Sequence, residues 1–343
     1  MKKSLFRFLF VFLLSIILFG FFIKIQIFSP ISSTEKVLYV PSGSDYASLK
    51  DSLYSNQLIK NELIFDLFCS KKKYHKVHPG RYLIGINTDA NSLVNMLRLG
   101  AQSPIDIIFN NTSTIYDVAG KLSTQIEADS TDLVDAFTDE LFFSTYGFDE
   151  ASIRKLFIPN TYEVYWTITP IELLERMQRE YNRFWTDDRL SSAKKLGLTP
   201  HEVSVLASIV QKESSKIDEQ PVVAGLYLNR LARGIKLQSD PTVIYAMKER
   251  DGFDISIKRV LNKDLKIDSP YNTYRYKGLP PNPICIPEMS SLLSVLNPKQ
   301  HDYIYMCAKA DFSGYHHFTK SWTEHKLNAM RFQKALSAQG VMR

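Results

Sequence analysis

The chain has 343 residues, and its 45% hydrophobic and 23% charged content is that of a globular protein with room for about two domains, which excludes wholesale disorder. Its 14 Gly and 15 Pro follow no short period, so collagen-like and low-complexity chains are excluded as well. A balance of 42 basic to 36 acidic residues leaves a net charge of +6 with no long basic run, which argues against a dedicated nucleic-acid binder and suits work beside anionic lipid or an anionic polymer.

The N-terminus places Lys2, Lys3 and Arg7 ahead of an uncharged apolar run, Phe8 to Ile23. Continued to Phe28 with Lys24 snorkelling toward the headgroups, a helix here rises about 31 Å, close to the roughly 30 Å hydrocarbon core of a bilayer. A small-x-small cleavage site is missing, and no cysteine near position 20 offers a lipid attachment point. The segment therefore reads as an uncleaved anchor, its basic end held in the cytoplasm and everything after about Ser29 outside. Cys69, Cys285 and Cys307 are too few and scattered for a disulfide framework and include no C-x-x-C pair.

Between Val37 and Leu122 a short apolar strand leads three times through a polar turn to an amphipathic helix. Strand ends Val40, Ile84 and Phe109 are each followed nine residues later by Leu49, Leu93 and Val118, then by Leu53, Leu97 and Leu122. Strand, turn and helix with an apolar stripe predict small α+β modules. From Ser130 to Arg189 the pattern is mainly helical, interrupted where Pro159-Asn160 turns into an aromatic strand ending near Trp166, a plausible domain border. Helices follow to about Gly234, and loops or short strands are expected after it.

Thr199-Pro200-His201-Glu202 has the pattern of a capping box with proline at the first helical position, so a helix starts here. Its apolar stripe, Val203, Leu206, Ala207 and Val210, is continued by Glu213, while Ser204, Ser208, Gln211 and Ser215 form a polar stripe. Burial of a carboxyl raises its pKa and keeps it protonated, which is what a general acid requires. An ordinary buried ion pair, for instance with Arg230, is the competing reading. A second helix runs from Pro221 to a stop at Gly234, with Asn229 and Arg230 interrupting its apolar surface. Gln238-Ser-Asp-Pro-Thr242, Tyr271-Asn-Thr-Tyr274 and Gly278-Leu-Pro-Pro-Asn-Pro283 put amides, hydroxyls and aromatic faces on expected loops, the groups that a sugar site uses. His316, His317 and His325 lack metal-ligand spacing, and no P-loop, dinucleotide or G-x-S-x-G fingerprint is present, so neither a metal nor a cofactor is expected.

Leu206-Ala-Ser-Ile-Val-Gln-Lys-Glu-Ser214, Leu228-Asn-Arg230, Leu237-Gln-Ser-Asp-Pro-Thr-Val-Ile-Tyr245, Ser269-Pro-Tyr-Asn-Thr-Tyr274, Gly278-Leu-Pro-Pro281 and Gly314-x-His-x-Phe318 closely resemble, in order and spacing, the MltG/YceG-like endolytic murein transglycosylases. The resemblance implies an α+β chain: a tail at 1–7, a single N-terminal transmembrane helix at 8–28, a LysM-like α+β module at 29–104, a connecting α+β region at 105–160, and a mixed helical and short-strand catalytic domain at 161–343. It implies an inner-membrane enzyme that cleaves the MurNAc–GlcNAc β-1,4 bond of nascent glycan strands, leaves 1,6-anhydro-MurNAc ends and thereby ends strand elongation. Glycan strands and the membrane are the partners it implies, with peptidoglycan synthases as further candidates.

The family's catalytic glutamate maps onto Glu213. Many relatives carry a second glutamate where this chain has Gln211, which points to Glu213 as the indispensable acid. Asn229, Gln238, Asp240, Tyr271, Asn272, Tyr274, His316 and Phe318 are the candidates for holding the sugar. A retaining or inverting hydrolase needs two carboxyl groups, whereas attack by the substrate's own C6 hydroxyl needs one. A muramidase using water, with Asp240 as its second carboxylate, and a non-catalytic wall-binding scaffold are the alternatives.

Overall fold

A computed structural model describes residues 2–59, 62–110, 112–150, 152–257 and 259–338. Met1 of the expected tail, and 339–343 of the expected catalytic domain, lie outside the described residues. The chain divides into two compact units: Met1–Ile107 with Ser123–Asp129 and Tyr162–Thr169, and Ile108–Leu122 with Ser130–Thr161 and Pro170–Arg343.

The first unit begins with helix α1 (Lys2–Phe28), which takes in Lys2 to Arg7 as well as the expected span. Its apolar stretch Phe6–Ile25 has a mean hydropathy of 2.7 and is wholly unburied, long and apolar enough to cross a membrane. There follow β1 (Lys36–Val40), α2 (Tyr46–Ser55), α3 (Glu62–Lys71), β2 (Gly80–Ile84), α4 (Ala90–Leu99) and β3 (Ile105–Ile108). The two strands β1 and β2 pair antiparallel, from Lys36 opposite Ile84 to Val40 opposite Gly80. Their inward residues Leu38, Val40, Tyr82 and Ile84 meet Leu49 and Leu53 of α2 and Leu93 and Leu97 of α4. Each fully buried leucine contributes about 1.5–3 kcal/mol.

Asp45 and Asp89 cap α2 and α4 by accepting from the Ser48 and Ser92 amides at 2.8 and 2.7 Å. Gly100 ends α4 in the left-handed region at φ 63°, where a side chain would be strained. The nine-residue spacing thus marks two strand–helix units packed on one core. The third, β3 with α5 (Ile115–Ser123), differs: its helix buries Val118 and Leu122 in the second unit. Helix α3 has no counterpart in the repeat.

Strand β4 (Thr161–Val164), paired with β3, belongs from Tyr162 onward to the first unit, and the second unit continues with α6 (Ser130–Phe137), α7 (Glu140–Tyr146), α8 (Pro170–Phe184), α9 (Asp187–Lys195) and α10 (Pro200–Glu213). Most of the 105–160 stretch belongs to the second unit. After α10 come α11 (Gln220–Ala232), α12 (Asp240–Asp251), α13 (Met289–Leu296), the antiparallel strands β5 (Tyr305–Ala308) and β6 (His316–Thr319), and α14 (Trp322–Ala338). The region after Gly234 is therefore more helical than expected. Gln238–Thr242 is the entry to α12, because Pro241 sits in its first turn, where a missing N–H does no harm.

Helix α10 lies at the centre and packs against α9, α11, α12 and α13. Thr199 and Glu202 form the capping box in both directions, with the Glu202 amide donating to the Thr199 hydroxyl at 3.2 Å and the Thr199 amide donating to the Glu202 carboxylate at 2.8 Å. Every residue from Val203 to Val210 is buried, including Ser204 and Ser208, so the first half of the expected polar stripe does not face solvent, while Gln211 is half-buried and Ser215 exposed. The hydroxyls are satisfied internally: Ser204 donates to the Pro200 carbonyl, and Ser208 donates to the Val205 carbonyl while accepting from the Ile284 amide. Gly225 lets α11 approach the segment before β5, since a Cβ there would lie 2.5 Å from the Lys299 carbonyl oxygen.

Candidate active site

Glu213 is the last residue of α10, where the burial of that helix gives way to a cleft of about 410 Å³. Two hydroxyls converge on one of its oxygens. Tyr227, one helix away on α11, donates to Oε1 at 2.6 Å, and Ser239, just ahead of α12, donates to the same oxygen at 2.5 Å. A proton resting on this carboxyl therefore belongs on Oε2. Glu213 is half-buried, surrounded by protein except where it meets the cleft.

Burial drives the Glu213 carboxyl above the usual carboxylate range; the Ser239 and Tyr227 hydrogen bonds oppose the rise, the Asp240 charge adds to it, and His316 opposes it. A position at the negative end of the α10 dipole disfavours the ionised form further. This environment favours the protonated form, the form a general acid needs.

The elements around Glu213 are fixed by buried polar contacts. Arg230 makes no ion pair with Glu213, contrary to the competing reading. Its guanidinium donates to the carbonyls of Ile304 at 2.7 Å, Lys236 at 3.0 Å and Leu237 at 2.6 Å, tying the turn before α12 to the strand entry at β5. That turn carries Gln238 in the left-handed region at φ 54°, an unusual conformation for a residue other than glycine, held by its amide donating to the Thr273 carbonyl. Ser239, with its own amide bonded to the Thr273 hydroxyl at 3.0 Å, is thereby aimed at Glu213.

On the other side, buried Glu219 accepts from the Ser214 hydroxyl at 2.8 Å, the His316 amide at 2.7 Å and His316 Nδ1 at 2.8 Å. The carboxylate assigns the Nδ1 proton of His316 and fixes its ring at the edge of the cleft.

Of the residues expected to hold the sugar, Gln238, Asp240, Tyr274 and His316 line this cleft with Glu213. Tyr274 donates its hydroxyl to Asp240 Oδ1 at 2.6 Å. The other four are placed elsewhere. The Asn229 amide donates to the carbonyls of His301 at 2.7 Å and Tyr303 at 3.0 Å and borders a separate cleft of about 750 Å³. Gly278–Pro281 also lines that larger cleft, which contains no member of the Glu213 set. Asn272 is fully buried and donates to the carbonyls of Leu265 and Ile267. Tyr271 is buried against Tyr245 with ring centroids 4.4 Å apart. Phe318 packs on the core beside Tyr303. These four side chains hold loops and strands in place.

Sequence reasoning did not single out Tyr227 or Ser239, although Ser239 lies inside the Gln238–Thr242 motif. It also missed Glu219 and the rings of Tyr305 and Trp322, and weighed His325 only as a metal ligand, whereas all three rings line the cleft. Cys69, Cys285 and Cys307 are free thiols, and Cys307 borders the Glu213 cleft.

Residues 38–331 match the family model of the YceG-like family. An endolytic murein transglycosylase of Bacillus subtilis (strain 168) is 28% identical over 310 residues, spanning 86% of this chain and 84% of that protein. One from Streptococcus pneumoniae serotype 2 is 26% identical over 320 residues, which span 84% of this chain and 58% of that longer protein. A crystal structure of a YceG-like protein from Listeria monocytogenes shares the fold, with a TM-score of 0.56 at 24% identity, over 86% of this chain and 99% of that one.

Proposed function

The chain belongs to the YceG-like family, and on that premise we propose that it is an endolytic murein transglycosylase with Glu213 as its acid and base. The observation that carries the reading is the Glu213 carboxyl itself: half-buried at a helix end, open to a cleft, with two hydroxyls on Oε1. Glu213 gives its proton to the glycosidic oxygen as the bond from that oxygen to the anomeric carbon of MurNAc breaks. The C6 hydroxyl of the same MurNAc then bonds to the anomeric carbon, and its proton passes to the Glu213 carboxylate. Water is not consumed, the carboxyl is restored, and the new end is 1,6-anhydro-MurNAc. The Tyr227 and Ser239 hydroxyls stabilise the carboxylate between the two steps.

Gln238, Asp240, Tyr274 and His316 contact the glycan in this reading, while Asn229, Tyr271, Asn272 and Phe318 support the elements that carry them. The first unit supplies a single-pass anchor in α1, with Lys2, Lys3 and Arg7 on the cytoplasmic side and the rest outside the membrane. Its β1-α2-α3-β2 arrangement supports a LysM-like module within 29–104.

A second reading, a water-using muramidase, is favoured by one observation: Asp240 borders the same cleft, and its charge acts on Glu213. Mass spectrometry of the ends made by the detergent-solubilised chain from uncrosslinked glycan strands separates the two. Anhydro ends are expected, and reducing MurNAc ends would establish the muramidase.

A further inference from the structure

Three aromatic rings that contact one another line the Glu213 cleft. They belong to Tyr305 of β5 and to Trp322 and His325 of α14. The Tyr305 and His325 rings are stacked, with centroids 5.2 Å apart and planes at 20°. Trp322 leans on both, 5.4 Å from Tyr305 and 5.3 Å from His325. His325 acts here as a flat uncharged face, since burial first and the Arg230 charge second lower its pKa. Its Nδ1 is buried without a hydrogen-bond partner among the described residues.

Trp322 nevertheless leaves 54% of its surface exposed, whereas Trp185 is buried and Trp166 half-buried. An indole half out of water beside a cleft is a surface waiting for a ligand that has one apolar face. Lys326 adds an ammonium 5.9 Å from the indole centroid, so the same ligand should present hydrogen-bond acceptors at its rim. A pyranose ring meets both requirements, with C–H bonds on its faces and hydroxyl and amide oxygens around its edge.

We propose that the exposed Trp322 indole, backed by the stacked Tyr305 and His325 rings, forms a stacking platform for one N-acetylhexosamine ring of the glycan, a subsite that fixes the strand in the cleft beside Glu213. The proposal rests on the glycan-cleaving reading above and adds the residues that grip the sugar. Trp322 is a binding residue here and takes no part in proton transfer. Its removal therefore acts on substrate affinity and spares the chemical step.

The test uses the full chain in detergent and uncrosslinked glycan strands as the probe. In the Glu213→Gln background, tryptophan emission is expected to shift to the blue and saturate as glycan is added, and Trp322→Phe should remove that shift while glycan binding, read by calorimetry, persists. Trp322→Ala should weaken binding by about tenfold and, in the active protein, raise KM by about tenfold with kcat within about threefold. Trp322→Phe, which keeps a ring, should recover most of the affinity. The thermal midpoint of either variant should stay near that of the parent, because half of the indole is already exposed.

The platform is overturned if Trp322→Ala leaves both binding and KM unchanged while the parent still makes anhydro ends, or if kcat falls and KM does not. A parent chain that neither binds nor cleaves glycan would instead overturn the glycan-cleaving reading, and the platform with it.

Discussion

Replacing Tyr227 by Phe removes one oxygen atom and leaves the ring that packs in the α10–α11 core. The lost hydroxyl donates to Glu213 Oε1 at 2.6 Å, and it favours the carboxylate over the carboxylic acid. Hydrogen bonds to a charged group are worth about 1.5–3 kcal/mol. Ser239 still holds the same oxygen in the variant, so the lower figure, about 1.5 kcal/mol, is the appropriate one. That energy changes the ratio of protonated to ionised Glu213 at a fixed pH by about tenfold. The sign follows from the loss of a group that stabilises the anion: the carboxyl holds its proton to higher pH. The basic limb of the kcat profile, where the acid is lost, should therefore move up by about one pH unit.

The assay is the rate at which new ends form on uncrosslinked glycan across the pH range, for the parent, Tyr227→Phe, Ser239→Ala and the double variant. Each single change should move the limb upward, and the double variant should move it further. A limb that stays in place or moves down in Tyr227→Phe, with the protein folded, would refute the assignment of that limb to Glu213.

Asp240→Asn should act with the opposite sign, because its negative charge raises the Glu213 pKa, so the basic limb should move to lower pH in the same assay. Loss of activity at every pH with release of no anhydro product would instead point to Asp240 as a chemical participant. Glu219→Gln places an amide among donors that now meet a buried carboxylate, from the Ser214 hydroxyl and from two nitrogens of His316. It should lower stability by about 3 kcal/mol, read by denaturant unfolding, and raise KM for glycan through the loosened His316 ring. Thr199→Ala removes the hydroxyl side of the capping box and should lower stability by about 1 kcal/mol while leaving the pH profile of kcat unchanged, since the cap is at the far end of α10 from Glu213.

Much of the local structure was legible because it depends on neighbours in sequence. The capping box, the stop near Gly234 and the strand–turn–helix spacing around Leu49 and Leu93 all rest on contacts within a few residues. Glu213 was found by extending an apolar stripe, yet α10 is buried all round, so the stripe itself does not distinguish one face. What distinguishes Glu213 is that the helix ends there, with the Tyr227 and Ser239 hydroxyls brought to it from other elements.

Those two donors lie 14 and 26 residues away, and no local pattern reports such a meeting. The same limit explains Asn229, Asn272 and Tyr271. Their residue types suit a sugar site, but which way a side chain faces is set by tertiary packing, and here nearby carbonyls and the Tyr245 ring claim them. Gln238–Thr242 looked like a loop because proline and small polar residues favour turns, although the same residues also open helices, as they do for α12.

Cleavage carried out in water enriched in oxygen-18 tests most directly whether the sugar supplies its own nucleophile through a single carboxyl acid. The parent chain should produce ends with the mass of 1,6-anhydro-MurNAc and no heavy oxygen, and Glu213→Gln should produce none above background. Heavy oxygen in newly formed reducing ends, or undiminished cleavage by Glu213→Gln, would contradict the account.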